Sequence, residues 1–307
     1  MTANCRPYRN EYDYYKIRTF LRDTLLLHDR KQINWALYRW DYWRWHVNAN
    51  LTHFNLGETV FLWENEDNAL IAVLNPDMHG EAFLQIHPRY RTTALVEEML
   101  ALAEQKYFVP AAEGKNKLRV WAYEQDEISK ASLARRGYVK TEIAEYQRWQ
   151  LLDRTIEDVP LAEGYTLRSQ ADSDIPARSW ASWRAFHPNE PDEKYQGWEW
   201  YHNVQRIPIY RRDLDLVAVA PNGEIAAFTT VWYDEATKTG AFEPVGTQPQ
   251  YQHKGLAKAL LTEGLRRLQK LKTLMAYVSS YGTAAHATYV SVGFEQYDLS
   301  ELWVKEW

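Results

Sequence analysis

The chain has 307 residues, room for about two domains at roughly 150 residues each; 25% are charged, 46% are hydrophobic, and the formal net charge is −5. That composition excludes a disordered chain, a collagen and a coiled-coil rod. No apolar run approaches the ~20 residues of a membrane helix, and the single cysteine, Cys5, excludes an internal disulfide and a Cys-based zinc site. The first twenty residues are polar and tyrosine-rich, so no leader or anchor is visible. A cytoplasmic protein with no membrane or nucleic-acid partner is expected, as a monomer or homodimer.

In chain order, Trp35, Trp40, Trp43 and Trp45 read as one buried stretch, with Leu37, Trp40, Trp43 and Val47 near helical spacing. Glu58–Glu64 is β-prone, Asn65–Asn68 is a turn, and Ala69–Leu74 returns as the second strand of a hairpin. A third strand follows at Glu81–His87 and stops at Pro88. Leu95–Tyr107 is an amphipathic helix, Lys117–Tyr123 a strand, and a short helix ends at Gly137-Tyr138, glycine being the usual left-handed stop.

The second half repeats this order. Strands at Asp215–Ala220, Ile225–Tyr233 and Ala241–Thr247 precede Pro249; a helix at Leu256–Leu271 presents a leucine stripe; a strand at Thr273–Ser279 leads to a helix ending at Gly293-Phe294. Arg91 precedes Gly137 by 46 residues, and Gln252 precedes Gly293 by 41. The near-match implies a duplicated α+β unit with a mixed sheet, its boundary in the polar stretch 153–164.

Charge separates the copies. Residues 1–155 balance 21 cations with 21 acids, while 156–307 hold 15 and 20. Within that acidic half, Lys254, Lys258, Arg266, Arg267, Lys270 and Lys272 face one acid, Glu263, which reads either as a solvated helix face or as the surroundings of an anionic ligand. Six of the 13 glycines fall between 240 and 293. Gln252-His-Lys-Gly-Leu-Ala257 lies at a strand-to-helix junction, where unsatisfied N–H groups and the positive end of the helix dipole can cradle a phosphate.

Val245 to Leu261, with this Gln-x-x-Gly-x-Ala turn, resembles the acyl-CoA motif of the GNAT acetyltransferases, and Ala285 to Phe294 resembles the family's later Tyr-x-x-x-Gly-Phe segment. The resemblance covers roughly 160–307 well and 50–150 as a degenerate copy. It implies two tandem GNAT-like domains, 1–157 and 158–307, with an acetyl-CoA cosubstrate and no metal. Gln252, His253, Lys254, Gly255, Leu256 and Ala257 are implied to wrap the pyrophosphate through backbone amides, Val245 and Thr247 to pair with the pantetheine arm, and Tyr289 to protonate the departing thiolate.

Glu243, the carboxylate on the strand before the motif, is the candidate general base, with His286 as a second; Pro244 beside it is expected to open a bulge. Gly282 stands where the family often has asparagine, leaving Ser279 and Ser280 as substitute contacts. In the first copy, Ala94, Val96 and Leu133 replace the two small residues and the tyrosine, so that copy is expected to keep the fold without cofactor. Trp183 and Glu199, in a stretch rich in tryptophan and acid, are candidates for binding a cationic acceptor. The implied activity is transfer of an acetyl group from acetyl-CoA, by direct attack, to a primary amine of a small molecule or peptide. A non-catalytic acyl-CoA-binding or regulatory protein is the alternative.

Overall fold

The computed structural model describes residues 3–307, which divide into two compact units. The first runs to Tyr146 and takes in Asp298–Trp307; the second is Gln147–Tyr297. The sequence boundary at 157/158 gives no hint that the last ten residues pack with the first unit.

The first unit opens with β1 (Asn4–Pro7) and α1 (Glu11–Leu27), the latter capped by the Asn10 side chain. α2 (Leu37–Tyr42) runs on into a π-helical stretch, Trp43–Thr52, and a single turn, α3 (Leu56–Thr59), follows. Glu58 and Thr59 were expected in a strand; Asn55 instead accepts from the Gly57 N–H and caps this turn. Then come β2 (Phe61–Glu64), β3 (Leu70–Asn75), β4 (Glu81–Ile86), α4 (Thr93–Lys106), β5 (Val109–Pro110), β6 (Asn116–Tyr123), α5 (Glu127–Arg135) and β7 (Val139–Leu151). The expected tryptophan cluster is present, with Trp35, Trp40 and Trp43 each 1% exposed and Trp45 packed against them.

The second unit continues with β8 (Thr166–Ser169), α6 (Ile175–Phe186), α7 (Tyr201–Gln205), β9 (Asp215–Val219), β10 (Ile225–Asp234), β11 (Thr239–Thr247), α8 (Leu256–Lys270), β12 (Met275–Ser280) and α9 (Thr283–Val290); β13 (Gln296–Glu306) closes the chain. Within the first unit β13 pairs antiparallel with β6, from Ser300↔Tyr123 to Glu306↔Lys117. Both units are mixed sheets: antiparallel β2-β3-β4 then β6 parallel to β4, and antiparallel β9-β10-β11 then β12 parallel to β11.

The duplication extends to single hydrogen bonds. His87 N–H donates to the Ile71 carbonyl at 2.9 Å, and Gln248 N–H to the Ala226 carbonyl at 2.9 Å. A turn of 3₁₀ helix follows each, Pro88–Tyr90 and Pro249–Tyr251. Tyr138 N–H closes α5 on the Leu133 carbonyl as Phe294 N–H closes α9 on the Tyr289 carbonyl, after glycines at φ 83° and 103°. Leu133 therefore occupies the position of Tyr289.

Candidate active site

The parallel pairing of β11 with β12 ends at Phe242↔Val278, although β11 runs on to Thr247 and β12 to Ser280. Past that point the strands part into a wedge. In an antiparallel ladder the backbone groups of successive residues point alternately toward and away from the partner. Since Gln248 bonds to β10, Gly246 does as well, and the N–H and C=O of Val245 and Thr247 point into the wedge. Among the described residues no side chain bonds to either. The wedge thus presents an open strand edge for an extended amide-bearing ligand.

The break itself is local chemistry. Thr229 pairs with Val245 but Val231 with Phe242, so an extra residue bulges from β11 at Glu243 and Pro244, as expected from the proline. Trp232 Nε1 donates to the Glu243 carbonyl at 2.6 Å and fixes the bulge. Gly246 lies opposite Phe228, whose ring fills the space a Cβ would need.

Beyond the wedge, β11 leads to the α8 N-terminus. Among the described residues no side chain caps that helix: Gly255 is its N-cap, at φ 73°, and no described atom lies within 4 Å of where a Cβ would stand. His253, at φ 61°, and Gly255 turn the backbone in succession, and Gln252, His253, Lys254 and Gly255 are all exposed. Leu256 is 2% exposed, so its side chain belongs to the core and its N–H alone faces the turn, beside that of Ala257. Of the cations noted on α8, Arg266 pairs with Asp158 and Arg267 with Glu263; Lys254 and Lys258 stand at the end that carries the open N–H groups. These donors, an open strand edge and a left-handed glycine fit an acyl-CoA: a pyrophosphate at the turn and a pantetheine arm along Val245 and Thr247.

α9 carries Tyr289, 8% exposed, with its ring 6.5 Å from that of Phe294. Its hydroxyl hydrogen bonds to no described residue. Burial, and then the negative charge of Glu243, push the phenol up to about 12, which places Glu243 and Tyr289 within electrostatic reach of each other.

His286 is differently placed. Its Nδ1 receives Arg148 through Nε at 3.2 Å and Nη2 at 3.1 Å, and lies 2.8 Å from Ser280 Oγ. Burial and the Arg148 charge lower its pKa. The nitrogen that would take a proton already accepts from a guanidinium, so the imidazole is held neutral with its proton on Nε2, a poor general base. Arg148 also donates to the Phe294 carbonyl at 3.1 Å and so ties both ends of α9 to β7. Sequence reasoning missed Arg148; its signal, a lone cation between Gln147 and Gln150 in a strand, is visible in hindsight.

Trp183, half-buried on α6, belongs to an aromatic group, 5.5 Å from Trp180, 5.7 Å from Tyr195 and stacked on His187 at 5.6 Å. Glu199 is exposed and accepts from the Trp198 N–H at 3.0 Å. No bond among the described residues joins either to Glu243 or Tyr289. The acidic stretch is partly neutralised from within, Glu190 by Lys194 at 3.1 Å and Asp192 by Arg184 at 3.4 Å. A stronger feature lies beneath: Arg178 and Asp215, both fully buried 3.6 Å apart, with Tyr201 and Tyr210 hydroxyls on the carboxylate at 2.5 and 3.1 Å. The Arg178 guanidinium sits 3.7 Å over the Phe228 ring, the same ring that backs Gly246. Among the described residues there is no cluster of three or more potential metal ligands, and no helix long and apolar enough to cross a membrane.

The fold is that of the GNAT acyltransferases: residues 176–294 match the profile of the Acetyltransferase (GNAT) family, whose members use acyl-CoA, and the chain is an N-acetyltransferase by class. Among curated proteins it is similar to the mycothiol acetyltransferases of Pseudarthrobacter chlorophenolicus (24% identical, 77% of this chain and 74% of that one) and Paenarthrobacter aurescens (26%, 78% and 74%). Among solved structures it shares the fold of a GCN5-related N-acetyltransferase from Sphaerobacter thermophilus (TM-score 0.67, 18% identity, 99% and 95% covered) and of a tandem GNAT protein from the clavulanic acid biosynthesis pathway (0.67, 15%, 99% and 98%).

Proposed function

We propose that the second unit transfers an acetyl group from acetyl-CoA to a primary amine of a small molecule or peptide, and that the first keeps the fold without cofactor. The observation that carries this is the wedge: the open edge at Val245 and Thr247 leads from an uncapped α8 N-terminus to a bulge bearing Glu243, with the Tyr289 hydroxyl free on α9. Gln252 to Ala257 hold the pyrophosphate through backbone N–H groups. A wedge-facing N–H of β11 receives the thioester oxygen as it gains charge.

An amine near pKa ~10.4 is mostly protonated at neutral pH and must lose a proton before it attacks. Glu243 takes that proton, directly or through water. The nitrogen attacks the thioester carbonyl, the C–S bond breaks, and Tyr289 gives its proton to the leaving thiolate. Trp183 and Glu199 line the approach of the acceptor. The shared name of the relatives, mycothiol acetyltransferase, favours a small-molecule acceptor over a protein.

The experiment is an acetyl-CoA consumption screen across an amine library, read as free thiol, with Tyr289→Phe run in parallel. Thiol release that tracks one amine class and collapses in the variant supports the reading. Acetyl-CoA binding without turnover on any amine would favour a binding protein instead.

A further inference from the structure

The first unit has a wedge of its own. β4 pairs with β6 from Glu81↔Arg119 to Phe83↔Trp121, and there the pairing stops, although β4 runs on to Ile86 and β6 to Tyr123. Counting from Pro88 and Pro249, Leu84 and Ile86 stand where Val245 and Thr247 stand in the second unit. The bond from His87 to β3 turns the Ile86 N–H and C=O into this wedge.

Those two groups are already taken. The Ile86 N–H donates to Asn34 Oδ1 at 2.9 Å, and Asn34 Nδ2 donates to the Ile86 carbonyl at 3.1 Å. One side-chain amide thus makes the paired contacts that a strand, or the amide of a pantetheine arm, would make. Flanking bonds hold the segment in place: Trp35 N–H to Gln85 Oε1 at 2.7 Å, Tyr123 hydroxyl to the Asn34 carbonyl at 3.3 Å, and Gln32 N–H to Asp298 Oδ2 at 2.8 Å. The space remaining beside Ile33 is a cavity of about 10 Å³, too small for more than a single water.

The phosphate end is closed as well. Thr92 caps α4 by accepting from Leu95 N–H at 3.3 Å, where α8 has no side-chain cap. Arg91, at the position of Gln252, pairs with Asp126, the residue that caps α5.

We infer that Gln32–Trp35 is a built-in occupant of the first unit's acyl-CoA groove, standing in for the pantetheine arm, so that the chain takes one acyl-CoA and takes it in the second unit. The inference rests on the acyl-CoA reading for its stoichiometry, but the plug itself is a property of the free protein. The degenerate copy has then not merely lost ligand contacts; its own chain satisfies them.

Amide hydrogen exchange on the full chain, without and with acetyl-CoA, separates the two units. The Ile86 amide is expected to be protected at least about 100-fold in the free protein and to be unmoved by acetyl-CoA, whereas the Thr247 amide gains at least about tenfold protection on saturation. Calorimetry should give one acetyl-CoA per chain. Asn34→Ala should speed exchange at Ile86 by about tenfold or more and leave acetyl-CoA affinity within about twofold. Two sites per chain, or an Ile86 amide that is open in the free protein and protected by acetyl-CoA, overturns the inference. If no acetyl-CoA binds while Ile86 stays protected, the functional reading of the second unit fails and the plug is upheld.

Discussion

The Glu243 carboxylate acts on the Tyr289 hydroxyl from across the wedge: burial first and that charge second push the phenol up to about 12. A phenol so placed holds its proton throughout the working pH range and is present in its acid form whenever a thiolate is released beside it. Tyr289→Phe should therefore lower kcat by about 100-fold or more while KM for acetyl-CoA changes little. Any alkaline limb of the wild-type rate below pH ~10 should survive the change, because Tyr289 does not titrate there. A variant with full turnover would remove the acid role.

Gly255 has open space where a side chain would go but a φ that side chains resist. Gly255→Val should destabilise the turn by about 1–2 kcal/mol and place a branched side chain among the N–H groups. Titration calorimetry should show acetyl-CoA affinity weakened by about tenfold or more, with the melting temperature only slightly lowered.

Gly246 is constrained in the opposite sense, by contact. Gly246→Ala drives a methyl into the Phe228 ring, and urea unfolding should show a loss of about 1–3 kcal/mol. Pairing it with Phe228→Leu should recover part of that loss, a coupling expected of residues that touch.

Burial first and the Arg148 charge second lower the His286 pKa. Because the folded pKa of His286 lies below its ordinary value, protonation opposes folding: the penalty is absent above pH ~6.5 and grows as the pH falls toward the folded pKa. Arg148→Gln should raise the His286 pKa, read by NMR titration of its ring protons. It should also lower kcat by loosening α9. An unmoved titration would mean the guanidinium does not govern that imidazole.

In the first unit, Arg6 bridges Asp13 and Glu64, with hydrogen bonds of 2.7 Å to each, and Lys16 joins Glu64 at 2.5 Å. Arg6 is the main cause that draws Glu64 down to about 2. A depressed carboxylate stabilises the fold fully above its unfolded pKa and loses that contribution as the pH falls through the folded value. Acid unfolding should thus steepen between pH ~4.5 and about 2, and Glu64→Gln should flatten that window.

The hairpins, the Pro-x-Tyr turns and the glycine-aromatic helix ends were legible in the sequence because each depends on a few neighbouring residues. The bulge at Pro244 was legible for the same reason. Asn34 was not: it matters through Ile86, 52 residues away, and nothing local marks it. Arg178 and Asp215 likewise meet only after β9 and β10 have folded beneath α6. The π-helical run of Trp43–Thr52 was hidden because its apolar spacing passes for an α-helix until the backbone widens.

β13 carries a consequence for how the protein is made. Its residues pair with β6, laid down some 180 positions earlier. A ribosome must therefore translate the whole second unit before the first can complete its sheet, and until then β6 waits with a bare edge open to the wrong partner. Fragments cut between the repeats inherit that edge permanently, so a piece ending near residue 157 should aggregate unless a peptide spanning 298–307 is supplied to it.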